Sequence, residues 1–287
     1  MRYNNILVPN DASDNSQQAL DYAGYFGNLL GTKVKNLRIR EKELATAGVG
    51  QSGEKKSGIV MAGDLGSLIS PDDIDSDSSL SPLDQIRTAA QDADLIVAGS
   101  SGKGESKGWM SFMGGDKADG RDVLNDVLLA RMVDYIDKSV VAIPSEAKLE
   151  PISRLLFVTT YSDACERAIP KVIHLAKITG ARVNLVHFVH NHNFRIGNMT
   201  KIMEEDYLKL KEYKEKHFSE IAEQVRNESL MAYSALPEAI YKLTIVRKYS
   251  LGIIAKNAAE VLGYFTGGKL PDYLIPNLRF PFMYVQS

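Results

Sequence analysis

Residues 6–14 (ILVPNDASD) and residues 155–163 (LLFVTTYSD) open two stretches of the chain that align without a gap. A displacement of 149 positions pairs residues 6–39 with residues 155–188, and residue class agrees nearly throughout. Six pairs are identical: Leu7/Leu156, Ser13/Ser162, Asp14/Asp163, Ala19/Ala168, Gly31/Gly180 and Val34/Val183. Duplication of one domain is the simplest explanation of this pattern.

Each repeat begins with an apolar run that is typical of a buried strand, and a helix signal follows it. Ser13 and Ser162 stand where an N-cap hydroxyl can accept a hydrogen bond from the first helical turn. Gly31 and Gly180 fit the left-handed position after the last turn. Second apolar strands follow, at VKNLRI and VNLVHFV. A helix that connects two apolar strands predicts a parallel sheet that is covered on both faces.

The ends of the repeats match as well. LIVAGS (95–100) and GIIAKN (252–257) are typical of a buried strand, and SVVAIP and PFMYV are typical of a closing strand. We therefore expect an α/β fold of two tandem Rossmann-like domains, each a five-stranded, mostly parallel sheet with helices on both faces. The expected domains are residues 1–146 and 152–287, joined by the polar stretch SEAKLEPIS.

The middle parts of the two repeats differ. Residues 200–227 are highly charged and predict one long helix, with apolar residues on one side of it. Residues 71–82 (PDDIDSDSSLSP) predict an exposed, mobile insertion.

Composition and charge exclude several function classes. The net charge of −2 gives no overall attraction to nucleic acid, and the chain has no apolar run long enough to cross a membrane. A single cysteine and the lack of a secretory signal at the start favour the cytoplasm. Residues 1–150 carry a net −7 and residues 151–287 a net +5, so we expect the two domains to dock face to face.

The order of motifs resembles the universal stress protein family. A strand ending in Asp, a Ser-capped helix, a second strand, and a strand running into G-S-x-G occur in that order. Two copies in one chain are similar to the tandem members of that family, and the similarity covers nearly the whole chain. The resemblance implies a Rossmann-like fold, a regulatory role in stress response, ATP binding in many members, and no well-defined catalytic reaction.

The resemblance also implies a nucleotide site in the first half. In the family pattern, the Asp that ends the first strand lies at the nucleotide, and an apolar residue after the second strand touches adenine. A glycine loop, G-x2-G-x9-G-[ST], holds the phosphates. The matching residues, in that order, are Asp11, Ile39, Gly99, Gly102, Gly114 and Gly115.

The loop departs from the family pattern in two ways. Eleven residues instead of nine follow Gly102, and Gly115 replaces the hydroxyl residue. Glycine permits the close backbone approach that phosphate needs, and the carboxyl end of a parallel strand is where such sheets bind ligands. Against this, the acidic residues Asp116, Asp119 and Asp122 would repel phosphate. Phosphate binding and a degenerate loop that serves domain contact both remain open.

The second half lacks the glycine pattern. Thr160 aligns with Asp11, and the sequence places Lys256 and Ala259 where the first half has its two leading glycines. We therefore expect this half to have lost the nucleotide site.

Three other patterns favour structural roles. An acidic run spaced like a calcium loop is typical of a solvated loop: Asp73, Asp75, Asp77 and Asp84. The spaced histidines His187, His190 and His192 straddle a strand end, which favours a structural or surface role. Cys165 is expected to be a partly buried structural thiol.

Three functional hypotheses follow. The first is a tandem universal stress protein whose first half binds ATP, with Mg²⁺, in a regulatory role. The second is an interaction module in which both sites have degenerated and the internal pseudo-dimer binds unidentified protein partners. The third is a slow ATP hydrolase. Whether two chains also form a homodimer is left open by the sequence.

Overall fold

The computed structural model describes residues 3–39, 72–75, 79–100, 126–190, 198–232, 236–256 and 270–286. Ten strands form one sheet: β1 Asn5–Asn10, β2 Lys33–Arg38, β3 Asp72–Asp75, β4 Leu95–Ser100, β5 Ser139–Pro144, β6 Arg154–Thr159, β7 Arg182–His190, β8 Val225–Ala232, β9 Leu251–Ala255 and β10 Phe282–Val285. Seven α-helices with described bounds accompany them in these ranges: α1 Asp14–Leu30, α2 Pro82–Ala89, α3 Asp126–Tyr135, α4 Asp163–Thr179, α5 Met199–His217, α6 Leu236–Val246 and α7 Leu270–Leu274. Within these ranges no helix is both long and apolar enough to cross a membrane.

Each half of the chain contributes five adjacent strands to the sheet. The order across the sheet is β3-β2-β1-β4-β5-β10-β9-β6-β7-β8. Neighbours within each half are parallel. The expected α/β fold of two Rossmann-like units is therefore confirmed. The link between them runs from the end of β5 to the start of β6, while the boundaries at residues 146 and 152 stay a prediction.

The two halves join edge to edge, through antiparallel pairing of β5 with β10. Met283 pairs with Val141, Phe282 with Ala142, and Tyr284 with Val140. The expectation of face-to-face docking is therefore wrong. Both strands are buried along their whole length, so each edge would leave buried backbone groups unpaired if the other strand were absent.

Helices cover both faces of the sheet. One hydrophobic core lies under α1, α4 and α5, with Phe26, Val172 and Leu210 among its buried side chains. The other lies under α2, α3, α6 and α7, with Ile86 and Ile240 in it. This arrangement explains why the central strands are apolar on both sides.

The predicted helix caps are confirmed. Ser13 Oγ accepts a hydrogen bond from the Ser16 backbone N–H at 3.2 Å, and Ser162 caps α4 in the same way. Gly31 and Gly180 end these helices with φ of 63° and 67°. Both are in the left-handed region that glycine adopts without steric cost.

The predicted helix over residues 200–227 is too long. α5 ends at His217, a short 3-10 segment covers Ser219–Gln224, and β8 begins at Val225. β8 pairs in parallel with β7 over eight residues. The charged sequence favours a helix locally, but pairing with β7 outweighs that preference and makes this segment a strand.

The predicted mobile insertion at residues 71–82 contains an edge strand. β3 pairs in parallel with β2, and the Asn36 side-chain amide donates to Asp73 Oδ1 at 2.9 Å. The segment then enters α2, which Ser81 caps. Residues 76–78 lie outside the described residues.

Replacing Tyr284 with phenylalanine is expected to stabilise the protein by about 1 kcal/mol. The ring is fully buried at the β5–β10 junction, and its hydroxyl has no hydrogen-bond partner among the described residues. Phenylalanine has no hydroxyl group to desolvate on folding, and its ring keeps the packing of the tyrosine ring. Chemical denaturation measures the effect, with Tyr135→Phe on the exposed side of α3 as the control. A loss of stability would mean that the hydroxyl is paired.

Candidate functional site

The crevice of the first half lies at the carboxyl ends of three adjacent strands, β2, β1 and β4. The chain leaves β1 toward β2 on one side, and β4 flanks β1 on the other side. This reversal between β1 and β4 is a topological switch point, where open α/β sheets bind ligands. Asp11 follows β1, Ile39 follows β2, and Gly99 lies near the end of β4. The fold therefore brings three of the predicted site residues to one edge of the sheet.

The turn after β1 is held by its own polar side chains. Asn10 Oδ1 accepts hydrogen bonds from the Ala12 N–H at 2.8 Å and the Ser16 hydroxyl at 2.9 Å. Asp11 Oδ1 accepts from the Ser13 N–H at 3.1 Å. Ala12 adopts φ 64°. Asp11 therefore helps to shape the turn, and sequence reasoning missed Asn10, whose amide anchors it.

Ile39 extends the pairing of the first two strands. Its N–H donates to the Asn10 carbonyl at 2.8 Å, which brings it beside the turn after β1. Its side chain is buried in the hydrophobic core with Leu37 and Ile86. Most of this side chain therefore packs in the core.

Gly99 allows the start of α1 to approach β4 closely. A Cβ atom built at Gly99 would lie 2.3 Å from the backbone oxygen of Asn15 and 2.6 Å from its carbonyl carbon. No side chain fits in that space. The glycine therefore brings the first turn of α1, with the positive end of its dipole, against the end of β4.

Ser100 connects the end of β4 to two other segments. Its hydroxyl donates to Asp126 Oδ1 at 2.9 Å and approaches the Ile275 carbonyl oxygen of the second half at 3.3 Å. Ser100 and Asp126 flank residues 101–125, which lie outside the described residues. The predicted site residues in that segment are Gly102, Gly114 and Gly115. Sequence reasoning missed Ser100, although it lies within the G-S-x-G motif.

The strand register corrects the alignment of the second half by one residue. Leu7 pairs with Ile96, whereas its counterpart Leu156 pairs with Gly252. Ala255 therefore stands in the place of Gly99, and Lys256 in the place of Ser100. Lys256 was aligned with Gly99 from the sequence because the apolar strands resemble each other in either register.

Lys256 is a buried cation at the contact between the halves. Its side chain is 8% exposed, and Nζ donates to the Ile136 carbonyl of the first half at 2.7 Å. Burial lowers the pKa of this ammonium to about 8, although Asp137 and Asp134 act in the opposite direction.

The corresponding crevice of the second half, called the second crevice, lies at the carboxyl ends of β7, β6 and β9. A polar and aromatic cluster lines it. His187 Nδ1 lies 2.9 Å from Asp206 Oδ1, and the Tyr161 hydroxyl donates to the same oxygen at 3.1 Å. His187 therefore has a structural contact, as predicted. The side chain of His190 and all of His192 lie outside the described part of the chain.

The Cys165 thiol is fully buried at the start of α4, deeper than predicted. The Thr160 N–H approaches its sulfur at 3.4 Å. This is the environment of a structural thiol.

The acidic residues with calcium-loop spacing make contacts with other side chains. Asp73 contacts Asn36 and forms an ion pair with Arg38. Asp84 accepts from the Ser81 hydroxyl at the start of α2. Asp77 lies outside the described residues, and those that are described contain no group of three potential metal ligands.

Comparisons with known proteins identify the fold. No protein-family model matches the sequence, and no curated protein matches it. A universal stress protein structure from Archaeoglobus fulgidus is 16% identical, covers 99% of this chain and 96% of its own, and gives a TM-score of 0.59. A Pseudomonas aeruginosa protein described as functionally unknown is 12% identical, with coverages of 99% and 92% and a TM-score of 0.58.

A further Pseudomonas aeruginosa structure, assigned to the universal stress proteins, gives the same result. It is 11% identical, covers 99% of this chain and 93% of its own, and has a TM-score of 0.58. At such low identity these similarities show the fold alone. The chain therefore has the universal stress protein fold along its length.

Proposed function

We propose that the first half of this chain binds one adenine nucleotide, ATP with Mg²⁺, and that the protein acts as a regulator in stress response rather than as an enzyme. The observation that carries the proposal is the switch point between β1 and β4, where Asp11 and Gly99 flank the start of α1. The similarity of the fold to universal stress protein structures supports the stress-response part. A cytoplasmic location and association into homodimers remain parts of this proposal.

The geometry of the crevice suits an anionic ligand in one respect. The close contact between Gly99 and Asn15 brings the start of α1 to the end of β4. Phosphate binds favourably at a helix start because backbone N–H groups and the helix dipole both attract negative charge. The G-S-x-G motif begins at this point, so the proposed phosphate loop starts beside the α1 terminus.

The Asp11 carboxylate supplies the polar side of the proposed site. One of its oxygens accepts from Ser13, and a carboxylate is an acceptor for the hydroxyl and amino groups that a nucleotide carries. Asp11→Asn keeps an oxygen for Ser13 but removes the charge. We expect the variant to bind ATP about tenfold more weakly, because a hydrogen bond to a charged group contributes about 1.5–3 kcal/mol.

Calorimetric titration of the full chain with ATP and Mg²⁺ tests the proposal. We expect one equivalent per chain, weakened by Asp11→Asn and unchanged by Thr160→Val, the matched change in the second half. Two equivalents would contradict the single site. If nothing binds, the interaction module becomes the better hypothesis. Phosphate release, measured on the same sample, separates binding from slow hydrolysis.

A further inference from the structure

Tyr161 adopts a backbone conformation that a bulky residue rarely takes. Its φ is 56°, and its counterpart in the first repeat, Ala12, has φ 64°. In both halves a side chain of the preceding strand fixes the turn: Asn10 Oδ1 accepts from the Ala12 N–H, and Thr159 Oγ1 accepts from the Tyr161 N–H. A left-handed tyrosine costs free energy and persists only when its surroundings compensate. The turn is the same in both halves although Ala12 has no ring, so the contacts of the Tyr161 ring are a separate feature of the second half.

Among the described residues, three side chains contact the Tyr161 ring. The His187 ring lies 4.2 Å away between centroids, at an angle of 37°. The Lys209 ammonium lies 4.2 Å from the ring centroid, and Tyr213 meets the ring edge-on at 5.3 Å. Stacking, cation–π and edge-to-face contacts each favour an aromatic ring at this position.

The polar end of the ring is recognised as well. The Tyr161 hydroxyl donates to Asp206 Oδ1, which also lies 2.9 Å from His187 Nδ1. Burial alone would raise the pKa of Asp206, but the neighbouring His187, Ser229 and Tyr161 side chains outweigh it and hold that pKa below its ordinary value. Asp206 is therefore ionised at neutral pH, and an ionised carboxylate accepts a stronger hydrogen bond from a phenolic or amino proton than a neutral acceptor does.

The side chains around the Tyr161 ring form the walls of a pocket. These walls belong to other elements than the turn that carries Tyr161. His187 belongs to β7, whereas Asp206, Lys209 and Tyr213 belong to α5. Tyr213 is buried and also packs against the ring of His217 at 4.6 Å. Tyr213 therefore keeps a packing partner when the tyrosine ring is removed.

We propose that the second crevice is a binding site for an aromatic ring that bears a hydrogen-bond donor, and that the chain fills this site with its own Tyr161. The ligand class is a phenol or an aromatic amine. A free ligand must displace Tyr161, so the tyrosine closes the site in the resting protein. The first half carries only a methyl group at this turn, in Ala12. This proposal rests on residues of the second half and stands independently of the nucleotide site proposed for the first.

Tyr161→Gly tests the proposal, because glycine accepts the left-handed conformation while it removes the ring. The probe is p-cresol, which reproduces the tyrosine side chain, followed by calorimetry and thermal denaturation. We expect saturable binding of one p-cresol per variant chain, a rise in Tm on binding, and no such effect in wild type. Toluene, which lacks the hydroxyl, should bind about tenfold more weakly because it cannot donate to Asp206.

Ala12→Gly is the matched control, since it makes the same backbone change in the first half without removing a ring. It should respond to p-cresol as wild type does. Absence of p-cresol binding to folded Tyr161→Gly would overturn the proposal, as would equal binding by wild type or equal affinity for toluene.

Tyr161→Phe keeps the test decisive if the glycine variant does not fold. This variant retains the ring and loses only the hydrogen bond to Asp206. We expect it to fold with a Tm lowered by a few degrees and to exclude p-cresol. Binding of p-cresol to Tyr161→Phe would show that the ring does not occupy the site, and an unchanged Tm would show that the Asp206 contact contributes nothing.

Discussion

Gly99→Ala is expected to destabilise the protein by about 3 kcal/mol, the upper part of the range for overpacked sites. The added methyl group would lie 2.3 Å from the Asn15 backbone oxygen and 2.6 Å from its carbonyl carbon. These atoms belong to the first turn of α1, so the helix start must move to relieve the clash. The same movement is expected to weaken nucleotide binding in the crevice. Urea denaturation measures the loss of stability.

Two control variants identify the cause of this loss. Gly31→Ala places a methyl group in open space at φ +63°, so it reports backbone strain alone, with an expected cost of about 1 kcal/mol. Asn15→Gly, combined with Gly99→Ala, should not restore stability, because the closest atoms belong to the backbone. Restoration by Asn15→Gly would show that the asparagine side chain causes the clash.

Lys256→Met is expected to stabilise the protein at pH 7 by about 2 kcal/mol. The folded state holds this ammonium with a pKa of about 8, against an ordinary value of 10.5. Since one pKa unit corresponds to about 1.4 kcal/mol, the buried charge costs about 3 kcal/mol below pH 8. Methionine removes that cost but also the hydrogen bond to Ile136, which contributes about 1 kcal/mol.

The pH dependence distinguishes this cause from simple repacking. Between pH 8 and 10.5 the unfolded chain still binds a proton at Lys256 that the folded chain has lost, so wild-type stability rises with pH. The advantage of the variant should therefore shrink over this interval and reverse by about 1 kcal/mol at its upper end. Denaturation at several pH values measures the difference between the two proteins. Lys201→Met, on the exposed side of α5, should show no such trend, and a constant difference for Lys256→Met would contradict the assignment.

The internal repeat made most of the fold predictable. Apolar runs, serine caps and terminal glycines are local signals, and they located β1, α1, β6 and α4 correctly. β8 could not be predicted, because VRNESLMA is a strand only through its pairing with β7. The edge-to-edge junction was missed for a similar reason. Nothing in the local sequence of β5 shows that its partner is β10.

The candidate site could be predicted only in outline. Asp11 and Gly99 are recognisable because they belong to a motif, and parallel strands bring their ends together. The roles of Asn10 and Ser100 depend on hydrogen bonds made after folding. The pocket around Tyr161 is assembled from β7 and α5. Both elements lie far along the sequence from the turn that carries Tyr161. Its counterpart in the first repeat is alanine, so the repeat gave no signal for it.

The antiparallel junction of β5 and β10 also determines how the protein behaves when it is diluted. Two separate domains joined in this way would dissociate at low concentration, because their association is bimolecular. The segment between β5 and β6 instead ties the two edges together at a high effective concentration, which for short flexible linkers is on the order of millimolar. The paired assembly, and any communication between its two crevices, is therefore expected to persist however scarce the protein becomes.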